Sequence, residues 1–302
     1  MKKHLMGIDF GSTTAKAVIV DLDGNIVAAC VSHMGAVSNL AVEAAVEGVL
    51  EQAGLTQADM GRTVSTGYGR RMLDIADKNF TEITCHARGA VAMVPDARLV
   101  IDIGGQDSKV ISVDSNGLVA QFAMNDRCAA GTGKFLEVLA RAMEIELEDM
   151  GEVAMAAENE LKISSMCATF AETEVISLRA EGHSKPDVLG AVHLAIANRT
   201  LGLVSRVGKK GPVVMTGGVA KNRAAVHYIE KVLGLPVILP GNPQVAGALG
   251  AALLALDDYR AILKEAATPP DDDALDAQLA VGGSCAPACQ GSGIKLEAKT
   301  GI

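Results

Sequence analysis

Residues 7–16 read GIDFGSTTAK: an apolar run, the acid Asp9, a glycine, three hydroxyl residues, and a lysine that leads into a second apolar run. Residues 4–9 and 15–20 are apolar or alternate on either side of this turn, which predicts a β-hairpin. After the turn at Asp23 and Gly24, residues 25–33 predict a third antiparallel strand. Residues 38–53 have helical periodicity with Ser38 as N-cap, and Val64 to Thr66 is a short strand before a Gly-Tyr-Gly-Arg turn. The same order then restarts. Arg98 to Ile103 is an apolar strand, Asp102-Ile103-Gly104-Gly105-Gln106-Asp107-Ser108-Lys109 is a second glycine-rich turn, Lys109 to Val113 pairs back, and Val119 to Met124 adds a third strand. A three-stranded meander around a small polar turn thus occurs twice, an internal repeat faint in its letters and clear in its order.

Helices are predicted over 131–143, 168–181 and 185–207. Val213 to Thr216 is a buried strand that delivers Gly217-Gly218 to a helix over Lys221 to Leu233, and Pro236 to Leu239 is a further strand. Pro243 to Leu256 predicts a helix in which Gly247 and Gly250 allow close approach to a neighbour. From Thr268 the composition changes to PPDDD and then Gly, Ser, Ala and Cys, so 268–302 is expected to be a flexible tail. Cys285 and Cys289 lie there as CAPAC; a lone cysteine pair without histidine is a weak metal signal.

Composition sets bounds. The 302 residues are 49% hydrophobic, enough for two lobes, but hold no Trp and only 3% aromatics, so Ala, Val, Ile, Leu and Met must build the core. A net charge of −9 argues against a nucleic-acid partner, which favours a basic face. The N-terminal MKKHLMGIDF runs into a strand rather than a signal core, and the longest apolar run, Val245 to Leu256, is too short to cross a bilayer. The expectation is a cytoplasmic protein without a membrane partner. Its six cysteines then serve as thiols or metal ligands rather than disulfides.

A hairpin turn rich in Gly, Ser and Thr aims several backbone N–H groups and hydroxyls into one small space, which suits phosphate oxygens. Gly11, Ser12, Thr13, Thr14 and Lys16 form the first such turn, and Asp9 beside them could hold magnesium through water. Asp102, Gly104, Gly105 and Lys109 form the second, where Gln106 and Asp107 could position water or metal near a γ-phosphate. In the third element, Thr216 to Asn222, Gly217, Gly218 and Val219 let the backbone lie flat against a nucleobase and ribose. Each element alone has many false positives. Three in this order carry weight, and together they resemble the phosphate-1, phosphate-2 and adenosine motifs of the acetate-kinase, sugar-kinase, Hsp70 and actin superfamily. That resemblance implies an α/β, actin-like ATPase (ribonuclease H-like) fold: two duplicated lobes with ATP or ADP and Mg2+ in the cleft between them. Residues 1–92 and 243–267 would form lobe I and 93–242 lobe II, with PQVAGALGAALLAL (243–256), including Gln244, resembling the second connecting helix.

Cys128 and Cys167 each stand just before a predicted helix. A helix N-terminus lowers a thiol's pKa and favours an anionic cluster. Spacing alone fits two inert buried thiols at least as well. The wider sequence changes the balance. GIDFGSTTAK (7–16), TGYGR (66–70), EITCHARGA (82–90), IDIGGQDSK (101–109), NDRCAAGTGKFLE (125–137), MCATFAETEVISL (166–178) and TGGVAKN (216–222) resemble, in order, the activator ATPases of 2-hydroxyacyl-CoA dehydratases, relatives of benzoyl-CoA reductase ATPase subunits. The resemblance implies a homodimer sharing one [4Fe–4S] cluster held by Cys128 and Cys167 of each subunit. It implies a partner iron–sulfur dehydratase or reductase as electron acceptor, ferredoxin or flavodoxin as upstream donor, and an anaerobic setting. A benzoyl-CoA-reductase-like or double-cubane-cluster acceptor fits it too. Gly131, Thr132, Gly133 and Lys134 resemble a further nucleotide contact, and Gln106 the sensor that would link phosphate state to the cluster helices. A small-molecule kinase of the same fold, with Asp107 as base, is the alternative from another class. A non-redox switch like the actin-like chaperones or filaments is another. Cys30 and Cys85 are read as core residues. His86 has no role in any of these readings.

Overall fold

The computed structural model describes residues 2–34, 39–126, 128–163 and 167–267. Its strands and helices in chain order are β1 (His4–Phe10), β2 (Thr14–Val20), β3 (Ile26–His33), α1 (Asn39–Ala53), β4 (Met60–Gly67), β5 (Lys78–Asn79) and α2 (Glu82–Met93). There follow β6 (Leu99–Ile103), β7 (Ser108–Val113), β8 (Val119–Asn125), α3 (Gly133–Ala142), α4 (Met150–Met155), α5 (Ala168–Ala180) and α6 (Lys185–Val207). The last are β9 (Val213–Thr216), α7 (Arg223–Leu233), β10 (Val237–Ile238) and α8 (Ala246–Ala267). Ser38, the expected cap of α1, and the expected tail over 268–302 with Cys285 and Cys289 lie outside the described residues.

The strands make two five-stranded sheets, ordered β3-β2-β1-β4-β5 and β8-β7-β6-β9-β10. The two orders are the same when the second half of the chain is laid on the first. In each, an antiparallel meander of three strands is extended by two parallel ones. The internal repeat expected from the sequence is therefore present in sheet topology. Alternation along β1 shows how the sheet is dressed. Met6, Ile8 and Phe10 pack against Val42, Ala45 and Val49 of α1. Leu5, on the other face, packs with Ala248, Ala252 and Leu256 of α8. Side-chain period two thus gives each face its own layer. In the second sheet Leu99, Ile101 and Ile103 pack under α3 to α7, while Val100 turns to the other face and meets α2.

Helix α2 is the seam between the halves. Its Cys85 belongs to the cluster beneath the first sheet, and its Ala87 and Ala90 pack on Val100, Ile111 and Val113 of the second. It crosses α8 at glycines: a Cβ on Gly89 would fall 1.9 Å from the Ala246 carbonyl oxygen, and one on Gly250 would fall 1.8 Å from that of Cys85. Only hydrogen at both positions lets two helix backbones come so close. Helix α6 is long and apolar enough to cross a membrane by composition, but 61% of that stretch is buried inside the fold, as in the core helix of a globular protein.

Two compact units divide the chain, Met1–Arg260 and Ala261–Ile302. The first contains both sheets. Of the second, the described part is the end of α8.

Elements differ from expectation where local signals mislead. The helix expected from Lys221 begins at Arg223, because Gly218–Lys221 forms a tighter 3-10 turn and Asn222 caps α7 by accepting a hydrogen bond from Ala225 N at 3.0 Å. The helix expected from Pro243 likewise opens with a short 3-10 turn over Pro243–Val245. α4, six residues long, has no sequence signal of its own.

Candidate functional site

The two halves meet at the ends of β1 and β6, and the same three residue types recur there in register. Asp9 pairs across β2 with Lys16 and across β4 with Thr66. Asp102 pairs across β7 with Lys109 and across β9 with Thr216. In each half the parallel strand then leads to a glycine of positive φ, Gly67 at the end of β4 (+91°) and Gly217 just after β9 (+87°). Their missing Cβ atoms would lie 2.4 Å from Phe10 O and 2.3 Å from Ile103 O, so only glycine serves.

These ends border a cavity of about 340 Å³, within the usual range for small-ligand sites. Of the residues singled out by sequence, Asp9, Gly11, Ser12, Thr13, Thr14, Lys16, Asp102, Gly104, Gly105, Asp107, Lys109, Gly133, Gly217, Gly218, Val219, Asn222 and Gln244 line it. The two glycine turns face each other closely: a Cβ on Gly105 would fall 2.0 Å from Thr13 Oγ1. Four of the residues singled out for the nucleotide do not line the cavity. Gln106 is exposed. Gly131 spends its carbonyl on Ser108 Oγ at 2.7 Å, Thr132 is buried and donates to Ala129 O at 2.6 Å, and Lys134 is exposed and paired with Glu137. Gly133 N and Lys134 N instead donate to Gly104 O at 2.9 Å and Gly105 O at 2.7 Å, so the segment buttresses the second turn from behind.

The floor of the cavity is charged and buried. Lys16 Nζ lies 3.0 Å from Asp9. Lys109 Nζ meets three carboxylates, Asp107 at 2.6 Å, Glu82 at 3.0 Å and Asp102 at 3.6 Å. Burial pulls the Lys109 ammonium down, but Asp102, Asp107 and Glu82 together raise it well above the usual lysine range. Burial likewise pushes Asp102 up, and His86, Lys109 and the hydroxyl of Thr216 at 2.8 Å outweigh it, holding the carboxyl far below the usual range. His86 Nδ1 lies 3.2 Å from Asp102, at ion-pair distance but off hydrogen-bond geometry. Burial disfavours its charge, and the facing carboxylates of Asp102 and Asp9 raise it overall. Glu82 and His86 also line the cavity. Both lie in EITCHARGA, where their spacing of four, one helical turn, was the available signal.

Cys128 and Cys167 are both exposed. Cys167 is the N-cap of α5, and hydrogen bonds from the backbone of Thr169 and Phe170 hold its thiol below the ordinary range. Cys128 does not stand at a helix start: α3 begins at Gly133 with Thr132 as its cap, four residues on, because residues 129–132 close a turn through Thr132 N and Ala129 O at 3.0 Å. The helix-dipole argument therefore applies to Cys167 and not to Cys128. α3 and α5 pack together, and Arg199 of α6 faces both thiols electrostatically. Cys85 is fully buried, and burial pushes its thiol up to about 12. Among the described residues no three His, Cys, Asp or Glu side chains converge as a metal site.

Comparison with known proteins places this geometry. The activator of lactoyl-CoA dehydratase from Anaerotignum propionicum is 48% identical over 254 residues, covering 84% of this chain and 98% of that protein. The activator of the 2-hydroxyisocaproyl-CoA dehydratase from Clostridium difficile, solved with bound ADPNP, superposes with a TM-score of 0.83 at 42% identity, covering 87% of this chain and 97% of that one. The (R)-2-hydroxyglutaryl-CoA dehydratase component A from Acidaminococcus fermentans also gives 0.83 at 42% identity, over 85% and 99% of the chains. The fold is thus the actin-like ATPase fold expected from the sequence. Over residues 6–255 the chain matches, and so belongs to, the BadF/BadG/BcrA/BcrD ATPase family.

Proposed function

We propose that this ATPase is an activator that uses ATP to drive a low-potential electron into an iron–sulfur dehydratase or reductase, of the 2-hydroxyacyl-CoA dehydratase class. The observation that carries the reading is the pair of backbone hydrogen bonds from Gly133 and Lys134 to Gly104 and Gly105. They fasten the start of α3, and the loop bearing Cys128, to a turn that faces the cavity. Relatives named as dehydratase activators support the choice of acceptor; a benzoyl-CoA-reductase-like partner is the nearest variant.

In this reading residues 1–92 and 243–267 act as lobe I and 93–242 as lobe II. The turns at Gly11 to Thr14 and at Gly104 and Gly105, with Lys16 and Lys109, hold the phosphates. Gly217, Gly218, Val219, Asn222 and Gln244 hold the adenosine. Asp9, through water, and Asp107 would hold Mg2+, which would neutralise phosphate charge. The thiols of Cys128 and Cys167 fit an iron–sulfur group: both are exposed, and that of Cys167 is already stabilised as an anion. A cubane cluster takes about four thiolates, so two copies of the chain supply it, and when bound it provides one-electron chemistry. Closure of the cleft on ATP shifts the 104–105 turn, and α3 follows through the two hydrogen bonds. Gln106, exposed at the tip of that turn, transmits the phosphate state. Ferredoxin or flavodoxin recharges the dimer in an anaerobic cytoplasm.

The test is iron and acid-labile sulfide in anaerobically reconstituted wild-type protein and in the Cys128→Ser and Cys167→Ser variants. About four irons per dimer are expected in the wild type. Each variant is expected to lose them while binding ATP within about threefold of wild type. Full iron in either variant, or none in the wild type, overturns the cluster assignment.

A further inference from the structure

The duplication extends to the helices that close each half, and there it breaks at one position. α2 follows β5 as α8 follows β10. Their crossing is reciprocal: the Cys85 carbonyl sits over Gly250 and the Ala246 carbonyl over Gly89. In both helices carbonyl and glycine are four residues apart, so Cys85 corresponds to Ala246, Gly89 to Gly250, and His86 to Gly247. One half places an imidazole at this position and the other leaves a space.

His86 fills that space. Its Nε2 lies 2.9 Å from where a Gly247 Cβ would sit, and Asp9 Oδ2 lies 3.1 Å from the same point. Its Nδ1 faces Asp102 at 3.2 Å. Asp9 is on the first sheet and Asp102 on the second, each at the mouth of its glycine turn. The His86 side chain is 8% exposed.

We propose that His86 is the positioning residue that sets the separation of Asp9 and Asp102, and through them the alignment of the two glycine turns for ATP hydrolysis. Nδ1 faces the carboxylate of the second sheet, and Nε2 shares the space at Gly247 with the carboxylate of the first, so a single rigid ring stands between the duplicated halves. Without it, Asp9 keeps Lys16 and Asp102 keeps Lys109 and Thr216. Each carboxylate keeps its partners within its own half, but their mutual distance is no longer fixed. Nucleotide binding, which each turn supports separately, then survives better than the chemical step, which needs both turns in one geometry. The proposal concerns ATP hydrolysis alone and stands whether or not a cluster is bound.

The experiment is steady-state ATPase kinetics and ATP affinity of the full chain as His86→Ala, His86→Asn and His86→Gln. Asparagine places an amide nitrogen where Nδ1 stands, glutamine where Nε2 stands. For His86→Ala kcat is expected to fall by about 10- to 100-fold, the size of effect that misplacement of reacting groups produces, with KM for ATP within about threefold. At least one amide variant is expected to regain a substantial part of kcat. Gly247→Ala, whose new methyl would crowd Nε2, is expected to lower kcat with KM kept. Unchanged kcat in His86→Ala overturns the proposal. So does an equal loss of kcat and ATP affinity in all three His86 variants, which would mark the ring as core filling.

Discussion

The crossing of α2 and α8 allows a sharp stability test with one chemical change at two places. In Gly250→Ala the new methyl would sit 1.8 Å from the Cys85 carbonyl oxygen and 2.6 Å from its carbon. Carbon-to-oxygen contacts settle at about 3.3 Å, so the two helices must part by about 1.5 Å. Neither offending atom belongs to a side chain that can swing away. Both helices are clamped: α8 by the core beneath the first sheet, α2 by that core and by Val100, Ile111 and Val113 of the second. The cost exceeds ordinary overpacking and is set at about 4 kcal/mol. At about 2–4 °C per kcal/mol for a protein near this size, Tm should fall by about 10 °C. In Gly202→Ala, within α6, the methyl meets nothing within 4 Å. There only helix propensity acts, and about 0.5–1 kcal/mol of stabilisation is expected. Thermal unfolding followed by circular dichroism on nucleotide-free protein reads both. A Gly250→Ala variant within about 1 kcal/mol of wild type would refute the close crossing, and with it the correspondence of His86 to Gly247.

Two further outcomes are expected. In iron-free protein treated with iodoacetamide and mapped by mass spectrometry, Cys128 and Cys167 should be modified in the native state, and Cys85 only on unfolding. Because the thiolate is the nucleophile, modification of Cys167 should reach its plateau at a lower pH than that of an ordinary thiol; a plateau at the ordinary pH would remove the hydrogen bonds from Thr169 and Phe170 as its cause. Gln106→Ala should leave ATP binding intact and lower electrons delivered per ATP hydrolysed, measured with a 2-hydroxyacyl-CoA dehydratase as acceptor. An unchanged ratio would move the sensor role away from Gln106.

What was legible in the sequence was what backbone chemistry dictates locally. Asp9 and Asp102 announce themselves because an acid, a glycine turn and a lysine must follow one another closely to build a small polar pocket at a hairpin. The two meanders were legible for the same reason. Contacts that join distant segments left weaker traces. The Thr66 and Thr216 partners of the two acids arrive on parallel strands, 57 and 114 positions away, and nothing in either strand marks the register. His86 had no role that its own helix could suggest, since Glu82, Thr84 and Arg88 make α2 polar at several positions. Its meaning depends on α8 lying across it with a glycine at the facing position, which no local pattern encodes. Gly131 to Lys134 misled in the opposite direction. A glycine-rich run before a helix reads as an anion seat, yet two of its N–H groups are already taken by Gly104 and Gly105.

That last detail bears on how the two halves of the duplicated scaffold differ. Between its third and fourth strands the first half has a single long helix, α1, packed on the sheet. The second half has α3, α4, α5 and α6 at the same place in the order, and this insertion holds Cys128 and Cys167 at its surface. If the insertion were merely appended, its motion would be independent of the cleft. It is not appended. Its first helix hangs from the second glycine turn by Gly133 and Lys134, and its last helix returns to that point, with Arg199 of α6 lying 5.3 Å over the ring of Phe135 in α3. α6 then leads directly into β9, whose end delivers Gly217 and Gly218 to the cavity. The insertion is therefore tethered at both ends to turns that line the cavity. A change in how those turns sit around a nucleotide must be taken up within the insertion, where one exposed thiol, Cys167, caps α5 and the other, Cys128, stands in the loop before α3.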